Sequence, residues 1–239
     1  GVFVNVGYID KAQRFNNVIN SNRFGDDLQL FQNYDNEKIT AFELGYNYKS
    51  KRFSANLNSY YTIWENKPLD RAPTVPLDEG DPDSERIPIN IPGIDALHRG
   101  VELDFAYKPF KQLTIEGVAS VGDWIWNSSE TAMIEISTRT IEYEFDAKGV
   151  HVGDAAQIQF GGLVRYEPIK NLYFKVNVTH FGKNYADFQP ETLQNENGGR
   201  ESWQLPSYTV FNGHAGYSFK VKDVHLSLRG NVLNLFDAL

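Results

Sequence analysis

The chain has 239 residues, of which 41% are hydrophobic and 14% aromatic, with a net charge of −8 and no cysteine. Without cysteine it forms no disulfide and has no thiolate metal site. The negative charge argues against nucleic acid as a partner, because phosphate binding requires clustered lysine and arginine. No run of about 18 apolar residues occurs, so the sequence does not predict a transmembrane helix.

Nine segments alternate apolar and polar residues with a period of two, the pattern of a β-strand with two different faces. Phe42 and Leu44 fall on one face, for example, while Glu43 and Asn47 fall on the other. Most of these segments exceed the length of soluble strands, about 5–6 residues, and are long enough to cross a membrane. In chain order the predicted strands cover residues 2–8, 42–48, 53–63, 101–107, 113–121, 157–166, 172–179, 211–219 and 224–232.

The connections between these strands are either very short or very long. Three long polar segments cover residues 65–97, 127–155 and 186–206. Such asymmetry is typical of outer-membrane barrels, which have short periplasmic turns and long extracellular loops. We therefore predict an all-β fold, the antiparallel up-and-down wall of a transmembrane β-barrel, with the three loops together on the extracellular side. The charged short turns are residues 49–52, 108–111, 167–170 and 220–223.

This architecture predicts which residues face lipid and whether the sheet closes. Nine strands leave two unpaired edges, so we expect an open wall rather than a closed cylinder. The apolar residues of each strand are expected to face outward, toward lipid. They include Leu103, Phe105, Leu113, Ile115, Val176 and Leu226.

Several stretches resemble the C-terminal barrel half of TonB-dependent outer-membrane receptors, particularly those of Bacteroidetes-type bacteria. The segment Asn231-Val-Leu-Asn-Leu-Phe-Asp237 is the most specific of them, because it is similar to the N-x-x-N-L-F-D pattern of a late barrel strand in that family. The other similar stretches occur in the expected order and cover Gly1–Asp10, His98–Phe105, Leu205–Phe211 and Gly216–Phe219.

The resemblance implies a bacterial outer-membrane receptor with a 22-stranded barrel, of which these nine strands are roughly the thirteenth to the twenty-first. Residues 1–239 would then be one partial β-barrel domain, without the plug domain and the final strand. The family takes up scarce nutrients with energy from an inner-membrane partner, here the TonB complex acting through the missing N-terminal part. The implied ligand is a small molecule, glycan or siderophore, and no cofactor is expected.

Five residues are candidates for ligand binding. Trp64, Trp124 and Trp126 lie near the long-loop ends of their strands, on the polar face that would line the lumen. An aromatic ring at a barrel mouth can stack on a sugar or an aromatic ligand. The alternatives are packing of the loops, or a position in the interfacial girdle after a shift of register. Arg200 and Trp203 follow a Gly-Gly pair in the third loop, where they would move with ligand or serve as ordinary loop residues.

The sequence gives no sign of catalysis. The acidic run 78–85 could bind calcium, but it lacks the spacing of a calcium loop, and a solvated acidic loop is the simpler interpretation. The five histidines have no paired metal spacing, and we interpret them as scattered polar residues. Glu102 and Asp104 share a face, which in a barrel is the wet lumen rather than a hydrolase site. We assign no catalytic residue and predict that the chain is not an enzyme.

Three functions remain open at this point. The first is an active importer of a scarce nutrient, and the second is a passive outer-membrane channel built from the same strands. The third is a secreted soluble β-sandwich that binds or degrades carbohydrate. The sandwich would bury the face that carries Phe42, Leu44 and Val176 in a core, whereas the two membrane proteins would expose that face to lipid.

Overall fold

The computed structural model describes the chain except for residues 14–34, 69–73, 77–80, 82, 85, 89–90, 92, 137–138, 154 and 238–239. Of residues 75, 87–88, 132–136 and 139–141 it describes the backbone alone. The acidic run 78–85 lies mostly outside the described residues, so its interpretation stays a prediction. No helix in the described ranges is long and apolar enough to span a membrane.

Fourteen strands and two short 3₁₀ turns make up the described structure. The turns cover Pro190–Thr192 and Asn195–Asn197. The strands are β1 (Val2–Lys11), β2 (Glu37–Lys49), β3 (Phe53–Lys67), β4 (Thr74–Pro76), β5 (Arg86–Pro88), β6 (Ile94–Phe110), β7 (Leu113–Trp126), β8 (Ser129–Ile136), β9 (Arg139–Asp146), β10 (Ala156–Ile169), β11 (Leu172–Tyr185), β12 (Gln204–Leu205), β13 (Tyr208–Val221) and β14 (Val224–Val232).

The nine long strands form one antiparallel sheet in the order β1-β2-β3-β6-β7-β10-β11-β13-β14, and the short β12 pairs with β11. Each long strand therefore pairs with the next long strand along the chain, as an up-and-down wall requires. In the described part of the chain β1 and β14 each pair on one side only, so the sheet is open. The nine predicted strands and the open wall are both confirmed.

The remaining strands belong to the loops and were not predicted. β4 pairs with β5, and β8 pairs with β9, each pair as a separate two-stranded ribbon. β6 also begins seven residues before its predicted start at residue 101, because residues 96–100 pair with both β3 and β7 and Ile94 pairs with Lys67 of β3. The sequence His98-Arg-Gly100 interrupts the alternation there and hid this part of the strand.

All short turns lie at one end of the sheet, which we call the turn end, and all long connections lie at the other, the loop end. At the turn end, for example, Ile169 pairs with Leu172 across a two-residue turn. Asn171 in that turn has φ of 68°, a left-handed conformation that asparagine tolerates better than most residues. The predicted common side of the three long loops is confirmed, and the last pair of the β1–β2 ladder toward that side is Lys11–Glu37.

Strand register divides the sheet into two faces of opposite character. On the apolar face Leu57 stands opposite Leu103, and Val164 lies between Ile115 and Val176. Leu103, Phe105, Leu113, Ile115, Val176 and Leu226 all lie on this face, as predicted. The polar face carries the intervening residues, such as Asn58 opposite Glu102, Glu43 opposite Tyr60 and Asn177 opposite Asn212.

Nothing covers the apolar face in the described structure. No second sheet packs against it, and Leu44, Val176 and Leu226 are 54%, 47% and 42% exposed. A soluble sandwich would bury these side chains between two sheets. The soluble β-sandwich is therefore wrong, and the bare apolar face is the lipid-facing surface of a membrane wall.

The chain's own hydrophobic core lies beyond the strands, at the loop end. Its centre is formed by Trp126 and Phe145, which are 3% and 1% exposed. The core joins the ends of β6 and β7 to the β8–β9 ribbon and to the segment around the first 3₁₀ turn. We call it the loop core; it consists of Ile91, Ile94, Ala96, Trp126, Tyr143, Phe145, Ala147, Val150, Phe188 and Leu193.

Candidate ligand-binding mouth

A row of three aromatic rings crosses the polar face just below the loop core. Trp64 on β3, His98 on β6 and Trp124 on β7 occupy neighbouring strands. The ring centres of Trp64 and His98 are 5.9 Å apart, and those of His98 and Trp124 are 5.5 Å apart. Alternation of side chains brings them to one face, since Trp124 stands directly opposite His98 in the ladder. We call these three residues the aromatic row.

Hydrogen bonds orient both tryptophans of the row. The indole N–H of Trp64 donates to Glu37 Oε1 at 2.7 Å, and that of Trp124 donates to the Tyr60 hydroxyl at 2.8 Å. Glu37 is 2% exposed, and its carboxylate also pairs with Lys11. These bonds occupy the N–H groups of both indoles, and Trp64 is also packed against the loop core.

Gln157 holds the backbone at Trp124. Its side chain is 1% exposed, accepts from the Trp124 N–H at 3.0 Å and donates to the Trp124 carbonyl at 2.9 Å. The β7–β10 ladder ends at the pair Val121–Ile158, so the Gln157 amide replaces the ladder bonds that β10 no longer supplies. Burial of this amide is tolerated because its oxygen and nitrogen are both hydrogen-bonded.

Trp126 has a different role from the aromatic row. It lies on the polar face, as predicted, but its ring is enclosed in the loop core, where it meets Phe188 edge-on at 5.4 Å. Phe188 in turn stacks on Phe145 at 6.0 Å. A ring that is 3% exposed offers no face to a ligand. Trp126 therefore occupies the loop-packing position that the sequence left open as an alternative.

One lysine links the aromatic row to the loop core. The Lys67 ammonium lies 5.5 Å from the ring centre of Trp64 and 5.1 Å from that of Trp126. A cation over two indole rings is attracted by the negative faces of both. Nearby, His98 Nε2 is buried without a hydrogen-bond partner among the described residues. The mouth therefore combines aromatic surface, one cation and one free polar atom.

Backbone bonds attach the folded loops to the strand ends. The Trp126 N–H donates to the Val150 carbonyl at 2.9 Å, and the Asp146 N–H donates to the Leu193 carbonyl at 3.0 Å. The Asp146 carboxylate accepts from the Ser129 hydroxyl at 2.5 Å and from the Lys148 N–H at 2.9 Å. These two hydrogen bonds favour the charged form and lower the pKa of Asp146.

Two other groups of the β8–β9 ribbon have raised pKa values because they are removed from water. Burial raises the pKa of Glu130, against an opposing hydrogen bond from Ser128. Burial also raises the pKa of Tyr143, whose hydroxyl has no hydrogen-bond partner in the described structure. Both groups lie above the wall, in the folded loops.

His151 fastens the third loop to the wall and was missed by the sequence analysis. Its N–H donates to Glu201 Oε1 at 3.1 Å, its ring Nδ1 lies 2.5 Å from Glu201 Oε2, and its ring stacks on Tyr185 at 4.3 Å. The other ring nitrogen lies 3.7 Å from Asp123, which pairs with Arg99 at 2.6 Å. We call the contacts of His151 with Glu201, Tyr185 and Asp123 the clamp. These partners are distant from His151 in sequence, so no local spacing predicts the clamp.

Arg200 and Trp203 lie at the loop end but apart from the aromatic row. Trp203 is 71% exposed, and its carbonyl accepts from the Ala186 N–H at 2.9 Å. The Arg200 side chain is exposed, and its N–H donates to the Asn197 carbonyl at 3.1 Å. Neither side chain has a described contact with Trp64, His98 or Trp124.

The β8–β9 ribbon is the second feature that the sequence analysis missed, and here a signal was present. Residues 139–146 read Arg-Thr-Ile-Glu-Tyr-Glu-Phe-Asp, with apolar residues at every second position. The same alternation that identified the wall strands could have identified β9 and, with it, Tyr143 and Phe145 of the loop core.

Lower on the polar face, a concavity of about 410 Å³ is lined by polar side chains such as Asp104, Glu116 and Asn177 together with apolar ones such as Val118 and Leu163. Asp104 accepts from the Asn56 amide at 2.8 Å. Within the described ranges no group of three or more histidine or acidic side chains could hold a metal ion. Glu102 and Asp104 stand opposite Asn58 and Asn56 on the polar face, consistent with the expectation that both acidic residues face a wet interior.

A single-layer antiparallel wall with an uncovered apolar face, short turns at one end and folded loops at the other defines a transmembrane β-barrel protein. The sequence matches the family described as TonB dependent receptor-like, beta-barrel, over residues 4–235. The chain belongs to this family, as its motifs indicated, and lies in the bacterial outer membrane.

Solved structures share the fold at low sequence identity. The chain aligns with the copper transporter OprC at a TM-score of 0.63 and 14% identity, over 99% of this chain and 31% of that one. It aligns with BauA, the ferric preacinetobactin receptor of Acinetobacter baumannii, at 0.58 and 18%, over 98% and 30%. For FyuA, the ferric yersiniabactin uptake receptor of Yersinia pestis, the values are 0.59 and 16%, over 99% and 29%.

The chain thus spans about a third of the length of these structures. No curated protein matches its sequence. At these identities the likeness is one of fold, and it agrees with an all-β wall that is part of a larger barrel.

Proposed function

We propose that the protein is an outer-membrane receptor that takes up a scarce nutrient with energy from the TonB complex. In this proposal residues 1–239 form a partial barrel domain, and the plug, the energy-coupling segment and the final strand belong to the rest of the protein. The chain supplies part of the wall and part of the mouth that captures the ligand. Its walls perform no chemistry, so it is not an enzyme.

The observation that carries this proposal is the structured mouth. A simple pore needs only polar residues along its wall, such as the pairs Asn58–Glu102 and Asn177–Asn212 on the polar face. Here the loops fold on a core of their own and are clamped to the wall by His151, directly above the aromatic row. Loops that bury aromatic side chains in a core of their own favour a binding mouth over an open channel.

We assign ligand contact first to Trp64 and Trp124, whose ring faces line the mouth. Trp126 supports them from the loop core, while Trp203 and Arg200 meet the ligand as exposed residues of the third loop. Ferric complexes are the first ligand class to test, because two structurally similar proteins are named as receptors for them. Glycans are the second, since sugars also stack on indole rings.

Uptake by intact cells tests this proposal. Cells that express the full-length protein are given radioiron-loaded siderophores and, in parallel, fluorescent oligosaccharides, with and without a protonophore. We expect uptake of one probe that saturates with concentration and stops when the protonophore or deletion of the TonB complex removes the energy source. Uptake that persists without energy and rises linearly with probe concentration would instead identify a passive channel.

The matched variants are Trp64→Ala with Trp124→Ala, compared with Ile63→Ala with Ile125→Ala on the opposite face. Loss of uptake in the tryptophan pair alone supports stacking on the ligand. Equal uptake in both pairs, with both proteins folded, removes the aromatic row from the site.

A further inference from the structure

The turn end carries a charge opposite to that of the rest of the chain. The four turns, residues 49–52, 108–111, 167–170 and 220–223, contain eight lysine or arginine residues and two acidic ones, a net charge of +6. The whole chain has a net charge of −8, so everything outside the turns amounts to −14. We call the cations of these turns the basic rim.

The basic rim is exposed and mostly unpaired. Arg52 donates to the Pro109 carbonyl at 3.1 Å, and Lys220 lies 3.9 Å from Asp223, a pair open to solvent on both sides. The other six side chains are exposed and make no salt bridge within the described part of the chain. They are Lys49, Lys51, Lys108, Lys111, Lys170 and Lys222.

A band of aromatic residues on the apolar face runs immediately above the rim. Phe53 contacts Tyr48 and Tyr107, with ring centres 6.0 and 6.1 Å apart. Such girdles sit at the boundary between hydrocarbon and headgroups. The band consists of Tyr48, Phe53, Tyr107, Tyr166, Phe174 and Tyr217, each at or near the turn end of its strand.

The band fixes the depth of the rim in the membrane. Lys49 and Lys108 follow Tyr48 and Tyr107 directly, and Lys51 is two residues from Phe53. At about 3.3 Å per residue the Cα atoms of these three lysines lie roughly 3–7 Å along the chain from the girdle residues. The headgroup layer is about 5–8 Å thick on each side of the hydrocarbon. The rim therefore lies at the level of lipid phosphates.

We propose that the basic rim binds the phosphate groups of anionic phospholipids in the periplasmic leaflet of the outer membrane. The rim follows the membrane plane: its first and last turns are six strand spacings apart, about 30 Å, so it forms a line rather than a compact patch. A line of separated cations at headgroup depth fits several individual lipids. For an acidic protein partner we would instead expect a compact patch of cations. The inference assumes only that short turns are periplasmic, and it is independent of the ligand.

Lipid binding by the full-length receptor in neutral detergent tests the proposal. Phosphatidylglycerol and phosphatidylcholine are titrated separately, and bound lipids are counted by native mass spectrometry. The turn variant combines Lys51→Gln, Lys111→Gln, Lys170→Gln and Lys222→Gln. The control variant removes four cations at the loop end, Lys38→Gln, Lys148→Gln, Lys183→Gln and Arg200→Gln, and a third variant replaces the turn lysines by arginine.

We expect the wild-type protein to prefer phosphatidylglycerol, and the turn variant to lose at least about fivefold in affinity for it without a change for phosphatidylcholine. The control and the arginine variants should keep the preference, and raised salt should weaken it. A folded turn variant with unchanged phosphatidylglycerol affinity overturns the proposal, as does an equal loss in the control. Ligand uptake should be the same in the wild-type protein and in the two variants of the turns, so the result is separate from the test of transport.

Discussion

The wall and the loop core handle apolar surface in opposite ways. In the wall, Leu44 and Val176 remain 54% and 47% exposed because lipid, not protein, covers them. In the loop core, Trp126 and Phe145 are enclosed by protein because the loops stand in water, where apolar surface must be buried. Apolar side chains are therefore exposed where lipid surrounds the chain and buried where water surrounds it. Substitutions should separate the two regions, since each change acts on one of them.

The largest effect is expected in the loop core. Phe145→Ala removes a ring that is 1% exposed, and such changes cost about 3–5 kcal/mol. The loss should appear in local unfolding of the loops, because the wall ladder does not depend on Phe145. Hydrogen exchange of the Trp126 and Gly149 amides in the full-length receptor measures it. Wall amides, such as that of Val164, are the internal control; if they lose the same protection, the two regions are one cooperative unit.

A charge on the apolar face should cost somewhat less but should act on the wall. Leu103→Arg places a guanidinium in lipid, for which about 2–4 kcal/mol is expected near the midplane. Glu102→Arg, one residue away on the polar face, is the matched control and should cost about 1 kcal/mol or less. Unfolding by denaturant in lipid vesicles gives both values. Equal costs at positions 102 and 103 would mean that the faces are wrongly assigned.

Removal of the clamp should have a smaller and local effect. Glu201→Ala deletes both acceptors of His151, and since the pair is partly exposed we expect about 1 kcal/mol. Exchange of the Ala186 amide, which donates to the Trp203 carbonyl, reports the release of the third loop. Glu196→Ala, in the same loop, serves as the control. If the two variants exchange alike, His151 does not hold the loop.

The smallest effect is a pH dependence of the ribbon. The pKa of Asp146 is lowered in the folded state, so its contribution to stability is complete above its ordinary value of 3.8 and is lost as the pH falls through the lower folded value. The raised pKa of Glu130 acts in the opposite sense, since it favours folding only while that group is protonated. Asp146→Asn should remove the acid-induced loss of loop protection. If loop protection is still lost at low pH in this variant, a group other than Asp146 causes the loss.

Much of the wall could be predicted from the sequence, because each strand position has only two possible directions. Alternation placed Leu103 and Val176 on one face and Trp64 and Trp124 on the other, and both assignments agree with the ladder. The charged turns then determined which end the loops occupy.

The mouth was only partly predictable, because its contacts join segments without a shared period. Alternation places Trp126 on the polar face together with Trp124. Three further segments close over Trp126, and the pattern of β7 alone could not predict that burial. His151 looked like a scattered polar residue because its partners Asp123 and Glu201 lie 28 and 50 positions away. Long-range loop packing of this kind depends on volumes and distances rather than on local pattern.

The most direct test of the account is site-directed spin labelling of β6, and residues 1–239 contain no cysteine that would compete for the label. Single cysteines are introduced one at a time at residues 101–107 of the full-length receptor in lipid bilayers, and the exposure of each label to lipid-dissolved oxygen is measured. We predict a period of two, with high oxygen exposure after Val101→Cys, Leu103→Cys and Phe105→Cys and low exposure at the even positions. Uniform exposure, or higher exposure at Glu102 and Asp104, would contradict a wall with one lipid face and one lumen face.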